Sequence, residues 1–353
     1  MKILCDHQIF SSFAYSGISR YFCELFYEFN KKQIDWDVSC FFSNNKFLKN
    51  LKPYPGFLPE QNFRGKNRIL EMLNLLKTRQ ALKKGNFDIF HSTYSKPYDR
   101  KLLKGKPYII TVHDMTHEKY GAKLPSGLRE TAEEKESIAR ADGIICPSRA
   151  TRDDLAALYP QAAEKTVVIY HGVRIPEIIP EKFTDIQPYF LYVGSRMFYK
   201  DFPTAVKAVA MLPEKYNLLC VGGGSFTGEE RQMFSKLKME KRIFHRQLSE
   251  PELFAAYKNA QALLFPSEAE GFGLPIIEAQ SQNCIPVLSD IPCFKEIGAD
   301  QALYFPLHDA GMCAEQLNRI IAHDVQLDPQ KNLARFNWEN AAQQTVDFYQ
   351  KFI

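Results

Sequence analysis

The sequence predicts an α/β protein built from two doubly wound parallel sheets, and three observations carry that expectation. Short apolar runs alternate with helical patterns along the chain, as expected for parallel strands covered by helices on both faces. The runs fall into two series, separated by VRIPEIIPEKFTDIQP at 173–188, which has three prolines and no periodicity. The length of 353 residues suits two domains of about 150 residues each.

The first series is KILCD (2–6), DVSCFF (37–42), FDIFHST (87–93), YIITVHD (108–114), GIICPS (143–148) and TVVIYHGV (166–173). After KILCD, the stretch SGISRYFCELFYEF reads as an amphipathic helix opened by Gly17 and Ile18, with Tyr21, Phe22, Leu25 and Phe26 on its apolar side. Ser16 or Ser19 is placed to cap it. The second series is YFLYVGS (189–195), NLLCVGG (217–223), RIFHR (242–246), QALLFPS (261–267), PVLSD (286–290) and ALYFP (302–306). Helical patterns such as PTAVKAVAMLP and EPELFAAYKNA lie between them. The domains are therefore expected at 1–176 and 188–337, with 173–188 as the linker.

Composition excludes several classes. A content of 45% hydrophobic and 24% charged residues is that of a folded globular protein. A net charge of +4 is too small to argue for nucleic acid. The eight cysteines are scattered in apolar runs without a CxxC pair, which predicts free thiols, no metal site and a reducing compartment. MKILCDHQIF is too short and too charged for a signal peptide, and nothing approaches a membrane span. A cytosolic protein is expected, at most peripheral to a membrane. Residues 46–84 carry ten Lys or Arg against two Glu, a net of +8, and include the helical RILEMLNLLKTRQALKKG. That face suits anionic headgroups or a phosphorylated acceptor, or is an ordinary solvated helix surface.

Ligands of doubly wound sheets bind beyond the carboxyl ends of the strands, and the unusual residues lie there. SEAEGFGLPIIE (267–278) places Glu270 and Glu278 eight positions apart around a Gly-Phe-Gly-Leu-Pro turn. Pro275 suits the first helical position, Gly271 and Gly273 leave the backbone bare, and Glu278 falls in the first helical turn. Amides at such a helix start attract an anion, and the flanking carboxylates suit hydroxyls. Arg196 and Lys200, after YFLYVGS, can hold a diphosphate or simply decorate a solvated loop. The glycines 222–224 lack the spacing of a dinucleotide fingerprint and read as a tight turn. His113 and Asp114 follow YIITV, where a histidine can meet a substrate or be satisfied locally; His171 reads as structural.

Taken together, these motifs resemble family 4 retaining glycosyltransferases of the GT-B fold. EGFGLPIIE looks like the family's E-x7-E signature, and YSGISRYF, TVHD, GIICPSRATRDDL, YHGV, YVGSRMFYKDF, LSEPELFAAYKNAQALLFPS and FNWENAAQQTVDFY occur in the expected order. The resemblance implies two Rossmann-like domains facing across a cleft, the first completed by residues 338–353. By the same resemblance Glu278 bonds the nucleotide ribose, and Glu270 lies near the donor sugar. Gly271, Phe272, Gly273 and Leu274 present amides to sugar and diphosphate. Arg196 and Lys200 hold the diphosphate, Gly17 approaches it from the other domain, and His113 contacts the transferred sugar. Arg246, Gln247 and Leu248 stand where the family binds the base. Two departures occur: Ser16-Gly17 replaces a paired glycine, and Asn283 or Cys284 stands where a glycine usually follows the E-x7-E helix, a place Asn tolerates at positive φ.

The implied reaction moves a sugar from a nucleotide diphosphate to an acceptor hydroxyl with retention. No Asp-x-Asp pair stands at a strand end, since Asp35 and Asp37 precede a strand in this reading, so metal independence and no cofactor are expected. The context TVHDMTHE is most similar to bacterial mannosyltransferases of polysaccharide assembly. That implies GDP-mannose as donor and a glycan or lipid-linked glycan as acceptor, with UDP-sugars as the alternative. An epimerase on the same fold, a non-catalytic binder and a glycosidase with two acting carboxylates fit the residues less well.

Overall fold

The computed structural model of the chain describes residues 1–57, 63–124, 126–181 and 184–353. Residues 58–62 of the basic segment and 182–183 of the proline-rich stretch lie outside the described residues. The chain divides into two units, Met1–His171 with Trp338–Ile353, and Gly172–Asn337. Residues of the proline-rich stretch pack with the second unit: Val173 N–H donates to Phe336 O at 3.4 Å, and Asn259 Nδ2 to Glu181 O at 3.1 Å.

The first unit holds strands β1 (Lys2–Cys5), β2 (Asp35–Val38), β3 (Ile89–Ser92), β4 (Tyr108–Thr111), β5 (Gly143–Cys146) and β6 (Thr166–Val168). They pair in parallel in the order β2-β1-β3-β4-β5-β6. The apolar runs of β3, β4 and β5 are buried along their length, because helices cover both faces. Phe90, Tyr108, Ile110 and Ile144 of these strands pack with Leu82, Ile138 and Leu155 from the flanking helices. Each such fully buried side chain contributes roughly 1.5–3 kcal/mol.

β2 corrects the sequence expectation. The run DVSCFF does not continue as a strand; pairing covers Asp35–Val38 and then stops. Asn74, buried on the helix Lys66–Lys84, takes the amides of Phe41 and Phe42 on its Oδ1 at 2.8 and 3.1 Å. A side chain thus replaces the neighbouring strand. Asp35 and Asp37 lie within the strand, not before it, and are engaged. Asp35 meets Lys2 Nζ at 3.7 Å, and Asp37 meets Lys52 Nζ at 2.6 Å and Tyr54 Oη at 3.0 Å.

The C-terminal helix Trp338–Gln350 belongs to the first unit. Tyr349 Oη lies 2.6 Å from His91 Nδ1, and Trp338 stacks on His171 with ring centroids 5.5 Å apart. A Cβ on Gly143 would sit 2.7 Å from both Phe348 and Phe352, so β5 must carry a glycine where this segment crosses it.

The second unit holds β7 (Tyr189–Val193), β8 (Asn217–Val221), β9 (Ile243–Arg246), β10 (Leu263–Phe265), β11 (Pro286–Ser289) and β12 (Leu303–Phe305). Their parallel order is β12-β11-β10-β7-β8-β9. The chain reverses its direction of travel across the sheet between β7 and β10, and in the first sheet between β1 and β3. Those two reversals are where such sheets open a crevice for ligands.

Candidate active site

In the second unit, the loops after β7 and β10 meet at the switch point. Glu268 N–H donates to Tyr199 O at 2.7 Å, tying one loop to the other. Lys200 Nζ forms an ion pair with Glu270 Oε1, and both side chains are only about one-seventh exposed. Ser267 Oγ also donates to that carboxylate oxygen, at 3.1 Å. Lys200 further lies 5.9 Å from the centre of the Phe265 ring, so the cation is walled on one side by an aromatic face. The structure therefore brings together two of the residues singled out in the sequence, a cation and a carboxylate, at the place where a doubly wound sheet receives its ligand.

The turn between the glutamates builds a helix start. Gly273 has φ 87° and caps the helix Leu274–Ser281. A Cβ there would lie 2.9 Å from Ile276 Cδ1, which is why glycine is needed. The helix begins one residue earlier than the sequence suggested, so Pro275 occupies its second position. Glu278 accordingly sits in the second turn, and no acidic residue lies in the first. It is 4% exposed and accepts a hydrogen bond from Tyr257 Oη at 2.8 Å. Gly271 and Phe272 lead into the turn, and Phe272 packs edge-on against Phe336. Beyond the helix, Asn283 adopts φ 56°, the left-handed conformation that the missing glycine left to it.

Arg196 is not a solvated loop residue. Its side chain is 4% exposed and its Nε donates to Glu230 Oε1 at 2.6 Å. Its remaining donors reach the carbonyls of Gly222, Gly223, Gly224 and Ser225 at 2.9–3.3 Å. The guanidinium also lies 4.9 Å from the Phe226 ring centre. The three glycines all have positive φ, and a Cβ on Gly223 would come within 2.7 Å of Arg196 Nη1. The glycine run thus serves the close approach of a side chain from the β7 loop. Arg196 and Lys200, four positions apart in sequence, point their cations to different partners, the β8 loop and the β10 loop.

Arg246 ends β9, and Arg246 and Gln247 are exposed while Leu248 is half-buried. Ser249, the next residue, caps the helix Glu250–Asn259 that carries Tyr257.

In the first unit, Gly17 is the first residue of the helix Gly17–Lys31, capped by Ser16, whose Oγ accepts the Ser19 amide at 3.0 Å. His113 follows β4 and packs edge-on against Tyr21 at 5.2 Å. Burial lowers its pKa to about 4 against an opposing pull from Asp114, so the imidazole is neutral near pH 7. Its Nε2 is buried and has no hydrogen-bond partner. His171 stacks on Trp338 and packs on Tyr21, a structural setting.

Sequence reasoning missed Tyr257, which reads as core within LFAAYKNA, and Glu230, which reads as a helix-start residue. It also missed Glu134, one of several charges in ETAEEKESIAR that look like a solvated helix face. Only the fold reveals that Glu134 borders the same recess as His113.

Two doubly wound sheets in one chain, each with polar residues gathered at its switch point, are the architecture of the GT-B fold. Residues 15–175 match the Glycosyltransferase Family 4 profile, and residues 175–342 match Glycosyl transferases group 1. The chain belongs to the family 4-type GT-B glycosyltransferases. It is 29% identical over 271 residues to the O-antigen chain mannosyltransferase RfbU of Salmonella typhimurium, covering 76% of this chain and 75% of that one. It is 22% identical over 307 residues to the GDP-mannose:cellobiosyl-diphosphopolyprenol alpha-mannosyltransferase of Xanthomonas oryzae, covering 81% and 79%. Among solved structures, the sucrose-phosphate synthase of Thermosynechococcus elongatus superposes with TM-score 0.74 at 20% identity, covering 99% of this chain and 98% of that one. Anabaena HepE, solved with UDP and glucose, superposes with TM-score 0.73 at 17% identity, covering 99% and 100%. At these identities the structural likeness concerns the fold.

Proposed function

We propose that the chain is a retaining, metal-independent mannosyltransferase that uses GDP-mannose and extends a glycan or lipid-linked glycan in bacterial surface polysaccharide assembly. The observation that carries the reaction class is the Lys200–Glu270 pair beside the Gly273-capped helix start at the β7/β10 switch point. Breaking the anomeric bond leaves negative charge on the departing phosphate and positive character on the sugar ring. Lys200 and the amides of the helix start are suited to the first. Glu270 is suited to the sugar and its hydroxyls, and Glu278, held by Tyr257, to the ribose. Arg196 supports the diphosphate grip through the β8 loop that it holds in place. Arg246, Gln247 and Leu248 are suited to border the base; within the first unit, the Gly17 amide at its helix start is suited to an anion and His113 to a sugar hydroxyl. Front-face attack, with the acceptor proton passing to a phosphate oxygen, needs no base from the protein. Asp35 and Asp37, the one Asp-x-Asp pair in the sequence, are engaged by Lys2, Lys52 and Tyr54 on an edge strand, which supports a reaction without a metal.

Mannose rests on the two mannosyltransferase relatives. A UDP-sugar donor is the second reading, favoured by the fold shared with HepE. A screen of sugar nucleotides by release of free nucleoside diphosphate separates them, with GDP release from GDP-mannose expected. Full activity in excess EDTA is expected in the same assay. Lys200→Ala should lower turnover by about a hundredfold or more, as for loss of one transition-state donor; near-normal transfer counts against the grip.

We further propose contact with an anionic membrane through the helix Lys66–Lys84. Ile69, Met72 and Leu76 are exposed on it at helical spacing, while Leu70, Asn74, Thr78 and Leu82 are buried on the opposite side. Lys66, Arg79, Lys83 and Lys84 flank the exposed stripe on a helical projection. No helix of the described residues is long and apolar enough to cross a membrane. Neutralising Lys77, Lys83 and Lys84 should weaken binding to phosphatidylserine-containing vesicles; unchanged sedimentation with them removes this reading.

A further inference from the structure

One side chain outside the roles above joins three loops of the second unit. His308 stands in the loop between β12 and the helix Ala310–Ile321. Its Nδ1 lies 3.0 Å from Asp201 Oδ2, and its Nε2 lies 3.7 Å from Glu268 Oε1, within ion-pair reach. Asp201 directly follows Lys200, and Glu268 stands two positions before Glu270. One imidazole thus links the β12 loop to the immediate neighbours of both members of the Lys200–Glu270 pair.

The surroundings hold that imidazole in place and decide which charge state suits it. Asp201 is 7% exposed, and among the described residues His308 is the hydrogen-bond donor to its carboxylate. A buried carboxylate is costly unless a charged partner compensates it. Asp201 and His308 hold φ 43° and 62°, a left-handed backbone that persists where the surroundings enforce it. Asp309, next in the chain, accepts the Met312 amide at 2.9 Å and anchors the loop to the helix Ala310–Ile321. Cys313 and Leu317 of that helix share a core with Phe202 and Val209 of the helix Phe202–Ala210, which Asp201 precedes. A neutral imidazole carries one N–H, so donating it to Asp201 leaves a lone pair facing Glu268. Only the imidazolium offers an N–H to each carboxylate. Cys313 adds no charge, since burial, and after it Asp201 and Asp309, push its thiol up and keep it neutral. No Lys or Arg pairs with Asp201 among the described residues. The ring therefore meets carboxylates from both neighbouring loops.

We infer that His308 is a positioning residue: as an imidazolium it clasps Asp201 and Glu268 and so keeps Lys200 and Glu270 aligned for the departing phosphate. The inference rests on the glycosyltransferase reading for the reaction that the clasp serves. His308 acts through the β7 and β10 loops. It aligns them more firmly in mildly acidic than in alkaline solution, because deprotonation removes one of its two N–H donors.

The test uses the whole chain and His308→Asn, which tolerates a left-handed backbone but carries no charge and is too short to span both carboxylates. Nucleoside diphosphate release is followed at pH 6 and pH 8.5, from whichever of GDP-mannose and UDP-glucose the parent turns over faster. The variant should be about three- to tenfold slower than the parent at pH 6 and within about twofold of it at pH 8.5. Titrations common to both proteins cancel in that ratio. Parent-like turnover at pH 6, or a ratio that does not shrink toward pH 8.5, overturns the inference. Hydrogen exchange at pH 6 reads the clasp without any turnover. Amides of residues 199–201 and 268–270 should exchange at least about threefold faster in His308→Asn, and unchanged exchange there overturns it. Asp201→Asn, which removes the buried charge, should cause a similar loss and add little in the double variant; full additivity overturns the coupling. Variants are read at melting temperatures near the parent's; if both melt well below it, Glu268→Gln takes their place in the same two measurements. A parent that releases no nucleoside diphosphate from either donor sinks the transferase reading, and the exchange comparison still decides the clasp.

Discussion

Gly223 and Arg196 show how a residue's neighbours decide its meaning. In sequence, three glycines suggest either a turn or a ligand loop, and a nearby arginine suggests a surface cation. In the folded chain the glycines curl at positive φ so that successive carbonyls face one guanidinium. Gly223→Ala places a methyl 2.7 Å from Arg196 Nη1 and forces φ 71° on an L-residue. It should cost about 1–3 kcal/mol, visible as a lowered melting temperature. The presence of Arg196 in the site region was legible from its place after an apolar run. Its partner was not, because Glu230 lies 34 positions away and nothing local marks the pair. Glu278 teaches the same lesson: the spacing to Glu270 was readable, while its burial against Tyr257 came from packing of two helices.

At the level of elements, alternating apolar runs located eleven of the twelve strands among the described residues and only the end of the twelfth, since a parallel strand buried on both faces has a compositional signature that survives imprecise ends. The exception is instructive. β2 stops where Asn74 captures the amides of Phe41 and Phe42, a side-chain substitution for a strand that no periodicity encodes. Asn74 also donates to Ser11 Oγ and Phe42 O, both at 2.8 Å, so one buried amide joins three segments. Asn74→Leu should cost about 2–4 kcal/mol by orphaning those groups. Urea unfolding followed by circular dichroism measures it, and a loss under 1 kcal/mol contradicts the assignment of Asn74 as the organiser of this corner.

For the whole molecule, the histidines that burial makes acid-sensitive are lodged in one unit. His7, His91, His113 and His171 all lie in the first unit, and burial lowers each pKa, to about 4 for His7, about 3 for His91 and about 4 for His113. The unfolded chain binds these protons once pH drops below about 6.5, whereas the folded chain resists them until much lower. Stability from these groups therefore declines as pH falls from about 6.5 toward 4, by up to about 1.4 kcal/mol per pH unit for each histidine. Glu118 and Glu134, raised by burial, and His117, raised chiefly by its bond to Glu130, act in the opposite sense. Hydrogen exchange at pH 7 and pH 5 should show protection lost in the first unit before the second. Equal loss in both contradicts the histidine account.

The helix Trp338–Gln350 fixes the order in which the protein comes into being on the ribosome. Synthesis delivers the first sheet, then every residue of the second unit, and only afterwards the segment whose Tyr349 meets His91 and whose Phe348 covers Gly143. The earliest-made half is the last to be finished. It must wait, with the flank of β5 uncovered, until the later-made half has already left the exit tunnel.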